Sequence, residues 1–262
     1  MAADASVDDA RRLFPRGLRQ PPEGFRFGAD ALLLASFAAA LPGERALDLG
    51  TGCGPAGLGL LLARNDAATT VLGLDKDPEM AAAANANAAH LGFDTRFAAS
   101  LCDVRAIRAA PLVPPQGFDL VLANPPYRDP VSGRRAASPG RDAARFTTDG
   151  GLPAFAAAAA YALRTGGALA LVHLAERLTH IVATLGAAGL ETKRLLPVAA
   201  RRDAPARQIL VLARRCGRPG LRLDPPLALY EGAGEATRLT EAALRFCPFL
   251  ACNAKIMPPA GS

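Results

Sequence analysis

Four stretches of this chain, "RALDLG" (45–50), "TTVLGLD" (69–75), "FDLVLA" (118–123) and "GALALVHL" (167–174), are apolar almost without a break. A strand with one wet face alternates apolar and polar residues, so runs like these must be covered on both sides. The segments between them read as helices. "PAGLGLLLAR" opens with Pro55, which suits a first helical position. Asp77 stands before Pro78 as an N-cap for a helix that Gly92 stops. "ADALLLASFAAAL", "LPAFAAAAAYAL" and "AERLTHIVATLGAAG" have helical composition as well. Strands and helices that alternate in this way predict an α/β fold, a doubly wound and mainly parallel sheet with helices on both faces. "TRFAAS" is a weaker strand, and "ETKRLLPVA" and "ARQILVLARR" form a late pair. "LALYEGAGEATRLTEAAL" reads as a strand, a turn and a short helix. Pro15, Gly17, Pro21, Pro22 and Gly24 break up the start, so residues 1–24 are expected to be a loose N-terminal arm. The body is expected over 25–250, with a tail at 251–262.

In a parallel sheet of this kind, ligands lie beyond the carboxyl ends of the strands. The unusual residues of the chain gather there. After the first strand comes Asp48-Leu49-Gly50-Thr51-Gly52-Cys53-Gly54, whose glycines permit a tight turn and close approach of a ligand. The second strand ends in Asp75, where an acid can grip two ribose hydroxyls. Asp103 follows the third strand and is placed to accept from an adenine amino group. The chain lacks the Lys-Ser/Thr of a phosphate-binding loop. A ligand with ribose and adenine but no pyrophosphate suits this order of residues. The fourth strand stops at Asn124-Pro125-Pro126-Tyr127. The two prolines cannot donate to a ladder, which leaves an amide side chain, carbonyl oxygens and one aromatic ring at the strand end.

Five scattered cysteines without paired spacing, and only three histidines, suggest neither a disulfide framework nor a metal site. The polar, acidic start is no secretory signal, and Ala31 to Leu41 is too short to span a membrane. A cytoplasmic protein, monomeric by default, with no metal and no membrane partner is expected. The formal net charge of +6, mostly from arginine, permits nucleic-acid binding.

The glycine loop followed by Asp75 and Asp103 resembles the class I S-adenosylmethionine-dependent methyltransferases. The resemblance implies a seven-stranded Rossmann-like sheet with an antiparallel last strand, over residues 25–250. It implies that Asp48, Gly50, Thr51, Gly52 and Gly54 hold the methionine part of S-adenosylmethionine, with the ribose on Asp75 and the adenine on Asp103. Phe27 and Asp30, just ahead of the first strand, are expected to close over the methionine end, with Asn124 beside the cofactor. In the families whose tetrad Asn124–Tyr127 resembles, the target is a planar nitrogen. There the amide oxygen of Asn124 and the carbonyl of Pro125 would accept from the target amine. Pro125 and Pro126 would fix the backbone, and Tyr127 would stack on the base.

"FRFGADALLLASF", "LVLANPPY", "APARQILVLARR" and "LALYEGAGEATRLTEAAL" together look like the bacterial valine-tRNA (adenine-N6) methyltransferases. That resemblance implies N6-methylation of adenine in RNA, with tRNA near the anticodon as first choice. Ribosomal RNA, DNA and a protein glutamine are alternative targets, and an RNA-binding module with a vestigial cofactor pocket is the non-enzymatic alternative. Where an "AR-H-E"-like stretch is expected after the tetrad, this chain has Ala144-Arg145-Phe146-Thr147. Arg128, Arg134, Arg135, Arg141 and Arg145 in that loop are candidate contacts to RNA phosphates, and Arg201, Arg202 and Arg207 would extend the track. No role is expected for Tyr161, His173 or His180.

Overall fold

The strand β4 (Phe118–Ala123) shows why the sheet needs two covers. Its Leu120 and Leu122 enter one apolar cluster, and Val121 and Ala123 enter another, because successive side chains of a strand face opposite sides. All four are closed to water. The computed structural model describes residues 2–24, 26–127 and 151–253. Around β4 lie β1 (Arg45–Leu49), β2 (Thr70–Asp75), β3 (Phe97–Leu101), β5 (Leu163–Leu174), β6 (Leu190–Ala199) and β7 (Ala206–Arg215). They run in the order β3-β2-β1-β4-β5-β7-β6. The first five are parallel to their neighbours, whereas β7 is antiparallel to both β5 and β6.

The seven expected strands are all present, with the antiparallel one in the seventh place along the chain. Two short additions, β8 (Arg222–Leu223) and β9 (Leu227–Ala228), pair with β6 and bring the sheet to nine strands. Each is two residues long, too short to leave an apolar run in the sequence.

Helices α2 (Ala29–Ala39), α3 (Pro55–Arg64) and α4 (Pro78–His90) cover one face, and α5 (Gly151–Ala162) and α6 (Leu178–Ala187) cover the other. The helix α2 is apolar almost all round because it lies under other elements on most sides, with Leu32, Leu33, Leu34 and Phe37 buried. It approaches α3 closely at Gly59, where a Cβ would stand 2.8 Å from the Cβ of Ala35. Asp77 caps α4, accepting from the amides of Glu79 and Met80.

The breakers in residues 1–24 predict a loose arm, but the described part is ordered against the core. It begins with the helix α1 (Ala2–Leu13). Ala10, Phe14 and Leu18, four residues apart, are all buried, Phe14 to 1% exposure. Burying a phenylalanine side chain contributes about 2–3 kcal/mol, enough to hold a segment whose prolines and glycines only shape its turns. Asn87 in α4 completes the attachment. Its side chain accepts from the Arg19 amide at 2.7 Å and donates to the Arg19 carbonyl at 3.0 Å and the Cys53 carbonyl at 2.9 Å.

The strand β1 has β2 on one side and β4 on the other, so chain connections diverge beside it. Leu49 stands opposite both Leu74 and Ala123. The residues that follow β1, β2 and β4 therefore emerge together at a switch point, where open α/β sheets place ligands.

Candidate active site

The turn after β1 is a backbone device. Gly50, Gly52 and Gly54 have φ values of +66°, +57° and +91°, in the region that only glycine adopts readily. A Cβ on Gly50 would come within 3.1 Å of the Phe155 ring, whereas a Cβ on Gly52 would meet nothing within 4 Å. Gly52 thus borders open space, a cradle that a side chain would fill. The loop is pinned from below and from the side. The Thr51 amide donates to the Leu74 carbonyl at 2.9 Å, and the Gly52 amide donates to Asp75 Oδ2 at 2.8 Å.

Asp48 supports the loop from inside the sheet. Its Oδ2 accepts from Thr51 Oγ1 at 2.8 Å and from the Gly57 amide at 3.1 Å, and the residue is 2% exposed. Burial pushes its carboxyl up to about 7, against the pull of those two hydrogen bonds. Burial likewise raises the carboxyl of Asp75, whose Oδ1 accepts from the Asp77 amide at 2.9 Å. Each Asp75 oxygen takes one of these two backbone bonds and keeps a lone pair for another donor.

Phe27 packs with Cys53, Met80 and Ala83 to form an apolar wall beside the loop. The Cys53 thiol is pushed up to about 11 by burial, which rules it out as a thiolate nucleophile at neutral pH. Asp103 faces its own short helix. It accepts from the Arg105 amide at 2.9 Å and pairs with the Arg105 guanidinium at 2.6 Å; that guanidinium holds its carboxyl below the usual range.

The second corner is built from side chains. Asn124 Nδ2 donates to Asp30 Oδ2 at 3.1 Å. The Tyr127 hydroxyl lies 2.8 Å from the same Asp30 oxygen and 2.6 Å from Asn124 Oδ1, and its single proton can serve only one of them at a time. Asp30 Oδ1 accepts from the amides of Gly28 and Ala31 at 3.1 and 3.0 Å. Burial first, then the Asp30 carboxylate, pushes the Tyr127 hydroxyl's pKa upward, so it remains a donor. Pro125 is buried and Pro126 exposed. His173, buried near the end of β5, meets the Tyr127 ring edge-on at 5.2 Å. Its Nδ1 accepts from the Leu174 amide at 2.8 Å.

The sequence reading puts Asp30 with the cofactor residues, and the structure hydrogen-bonds its carboxylate to the tetrad. Asn87 and His173 carry no sequence-based role. An asparagine inside an alanine-rich helix is a signal for the first, because asparagine is a poor helix former that bonds backbone elsewhere. For His173 the signal is absent, since it continues an apolar strand. Arg128, Arg134, Arg135, Arg141 and Arg145 lie outside the described residues. Arg201 bonds the Gly232 carbonyl and Thr237, while Arg202 and Arg207 are exposed. Among the described residues, no three His, Cys, Asp or Glu side chains group as metal ligands, and no helix is long and apolar enough to cross a membrane.

Comparison with known proteins agrees with this geometry. Residues 41–169 match a family model described as a methyltransferase domain. A tRNA1(Val) (adenine(37)-N6)-methyltransferase of Citrobacter koseri is 37% identical over 125 residues, covering 47% of this chain and 48% of that protein. The enzyme of the same name from an Enterobacter strain is 32% identical over 149 residues, 56% and 58% of the two chains. The chain thus spans about half the length of these relatives. Among solved structures, a predicted O-methyltransferase from Agrobacterium tumefaciens superposes with a TM-score of 0.64 at 23% identity, covering 84% of this chain and 96% of that one. NSun6 from Pyrococcus horikoshii superposes with a TM-score of 0.53 at 14% identity, over 74% and 53%. The segment matched by the methyltransferase-domain model contains both the glycine loop and the tetrad, and the fold is the one shared with the superposed structures.

Proposed function

We propose that this protein transfers a methyl group from S-adenosylmethionine to the exocyclic amine of an adenine in RNA, with tRNA near the anticodon as the first choice of substrate. The reading rests on one observation above all: an amide, Asn124, follows β4 directly beside the strand that leads into the glycine loop. The cradle at Gly52 and the two-sided acid at Asp75 suit a nucleoside with a slender amino-acid arm. Gly50 to Gly54, with Asp48 and Thr51 beneath them, would hold that arm, and Phe27 would wall it in. Asp75 would accept from the ribose hydroxyls. Asp103 would serve the adenine amine with whatever capacity its ion pair with Arg105 leaves. When bound, the cofactor supplies a methyl group on a sulfonium, already activated for transfer.

The protein's own task is to prepare the nucleophile. An adenine amine is poor because its lone pair is delocalised into the ring. Two acceptors for its hydrogens, Asn124 Oδ1 and the Pro125 carbonyl, would favour pyramidal nitrogen. The prolines fix the peptide that carries the second acceptor. Alignment of the reacting atoms is a large source of rate in such a site. Taking a base out of its stack costs a few kcal/mol, and stacking on the Tyr127 ring would offset ~1–3 kcal/mol of it. Arg128, Arg134, Arg135, Arg141 and Arg145 would neutralise phosphates around the pocket.

The test is parallel incubation with labelled cofactor and total tRNA, ribosomal RNA, genomic DNA or a release factor. Label is expected in adenine of tRNA, and Asn124→Ala is expected to abolish it while cofactor affinity is kept. Label in protein or DNA alone would refute the RNA assignment. RNA binding without any transfer would favour the vestigial module.

A further inference from the structure

We infer that Asp30 is a positioning residue that sets which way the Asn124 amide faces; this rests on the function proposed above. Asparagine can present either its oxygen or its NH2 group to a given neighbour, and the chemistry proposed for Asn124 works only if the oxygen faces the incoming amine. Asp30 decides this. As an ionised carboxylate it has acceptors and no donor. Its Oδ1 is occupied by the amides of Gly28 and Ala31, and its Oδ2 is left for Asn124 Nδ2 and the Tyr127 hydroxyl. An amide oxygen turned toward that carboxylate would be repelled, so the NH2 group goes to Asp30 and Oδ1 points away from it. Asp30 has a second effect. The one Tyr127 proton lies within reach of both Asp30 Oδ2 and Asn124 Oδ1, and an ionised acceptor makes the stronger bond. When a substrate amine claims Asn124 Oδ1, the hydroxyl keeps a partner in Asp30.

The isosteric change Asp30→Asn gives this account a sharp consequence. Two backbone amides hold the Oδ1 position, so the new side chain must keep its oxygen there and turn its NH2 group toward Asn124. Donor then meets donor, and the Asn124 amide must rotate, taking its oxygen away from the substrate. Restoring the pair in reverse, with Asp30→Asn combined with Asn124→Asp, lets the new NH2 group at position 30 donate to one oxygen of the new carboxylate and leaves its other oxygen for the substrate amine.

The experiment uses the full chain and the RNA substrate found in the label-transfer panel. Asp30→Asn is expected to lower kcat about a hundredfold, by analogy with losing one preorganised polar group at a reacting centre. Its affinity for S-adenosylmethionine, measured by calorimetry, is expected to stay within about threefold, less than 1 kcal/mol. The double variant is expected to recover much of the lost kcat. A weakened cofactor with kcat unchanged would overturn the inference and assign Asp30 to the cofactor. A double variant no better than Asp30→Asn would also overturn it. Should Asp30→Asn fail to fold, the double variant must recover folding, and its failure to do so counts against the inference equally. Should the wild-type protein methylate none of the substrates, the proposed function fails by itself. The side-chain NH2 resonances of Asn124 then judge the positioning role: they must move on Asp30→Asn, and unmoved resonances would refute it.

Discussion

The two corners of the site, side by side at the end of one sheet, are made of different materials. After β1 the working parts are backbone: three left-handed glycines, a bare space above Gly52, and amides tied to the strand below. After β4 the working parts are side chains, and the partner that organises them comes from 94 positions earlier in the chain. A corner made of backbone is specified by the residues that permit its φ angles. A corner made of side chains is specified only once the fold has brought its members together.

The largest effect that would break this contrast concerns Gly52. A valine there must adopt a left-handed φ, at roughly 1–2 kcal/mol for an L-residue, and its branches would enter the open space. Cofactor affinity should fall by at least tenfold, about 1.4 kcal/mol, as measured by calorimetry; unchanged affinity would mean that the cradle is elsewhere.

A smaller effect concerns Asp48, a buried side chain that supports the backbone corner from within the sheet. Its carboxyl is raised by burial to about 7, above the unfolded value near 3.9. The native state therefore holds a proton that the unfolded chain releases between those two values. The stabilisation linked to that proton is complete below about pH 4 and is lost as pH rises through 7. Asp48→Asn has no such proton. The wild-type protein should gain up to a few kcal/mol over the variant as pH is lowered from 8 to 5 in urea titrations; parallel curves would show that Asp48 is ionised throughout.

The smallest effect belongs to Asp103. Its carboxylate is committed to a half-exposed pair with Arg105, and such pairs contribute little. Asp103→Ala should change cofactor affinity by only a few-fold and Asp75→Ala by more, both measured by calorimetry. The reverse order would move the nucleoside toward β3.

These differences explain what the sequence made legible. The continuous apolar runs disclosed the sheet, because a strand covered on both faces cannot hide its composition. The glycine loop and the tetrad stood at strand ends, where parallel sheets bind ligands. Asp30 and Asn124 each stand out in the sequence, but their pairing does not, since nothing near residue 30 announces Asn124. His173 was invisible because a buried histidine in an apolar strand looks like core, and only the fold sets it edge-on to Tyr127. The first 24 residues follow a related logic: Pro15, Gly17 and Pro21 describe how the backbone bends there, while Phe14 and Asn87 decide where it stays.

Asn87 carries a consequence for how the molecule is made. The same amide grips both the peptide of Arg19 and the carbonyl of Cys53. During synthesis Arg19 leaves the ribosome well before Asn87 exists, so the opening stretch lacks this tie until the middle of the chain has been translated. Whatever tugs on that stretch afterwards tugs, through one side chain, on the turn beside Gly52.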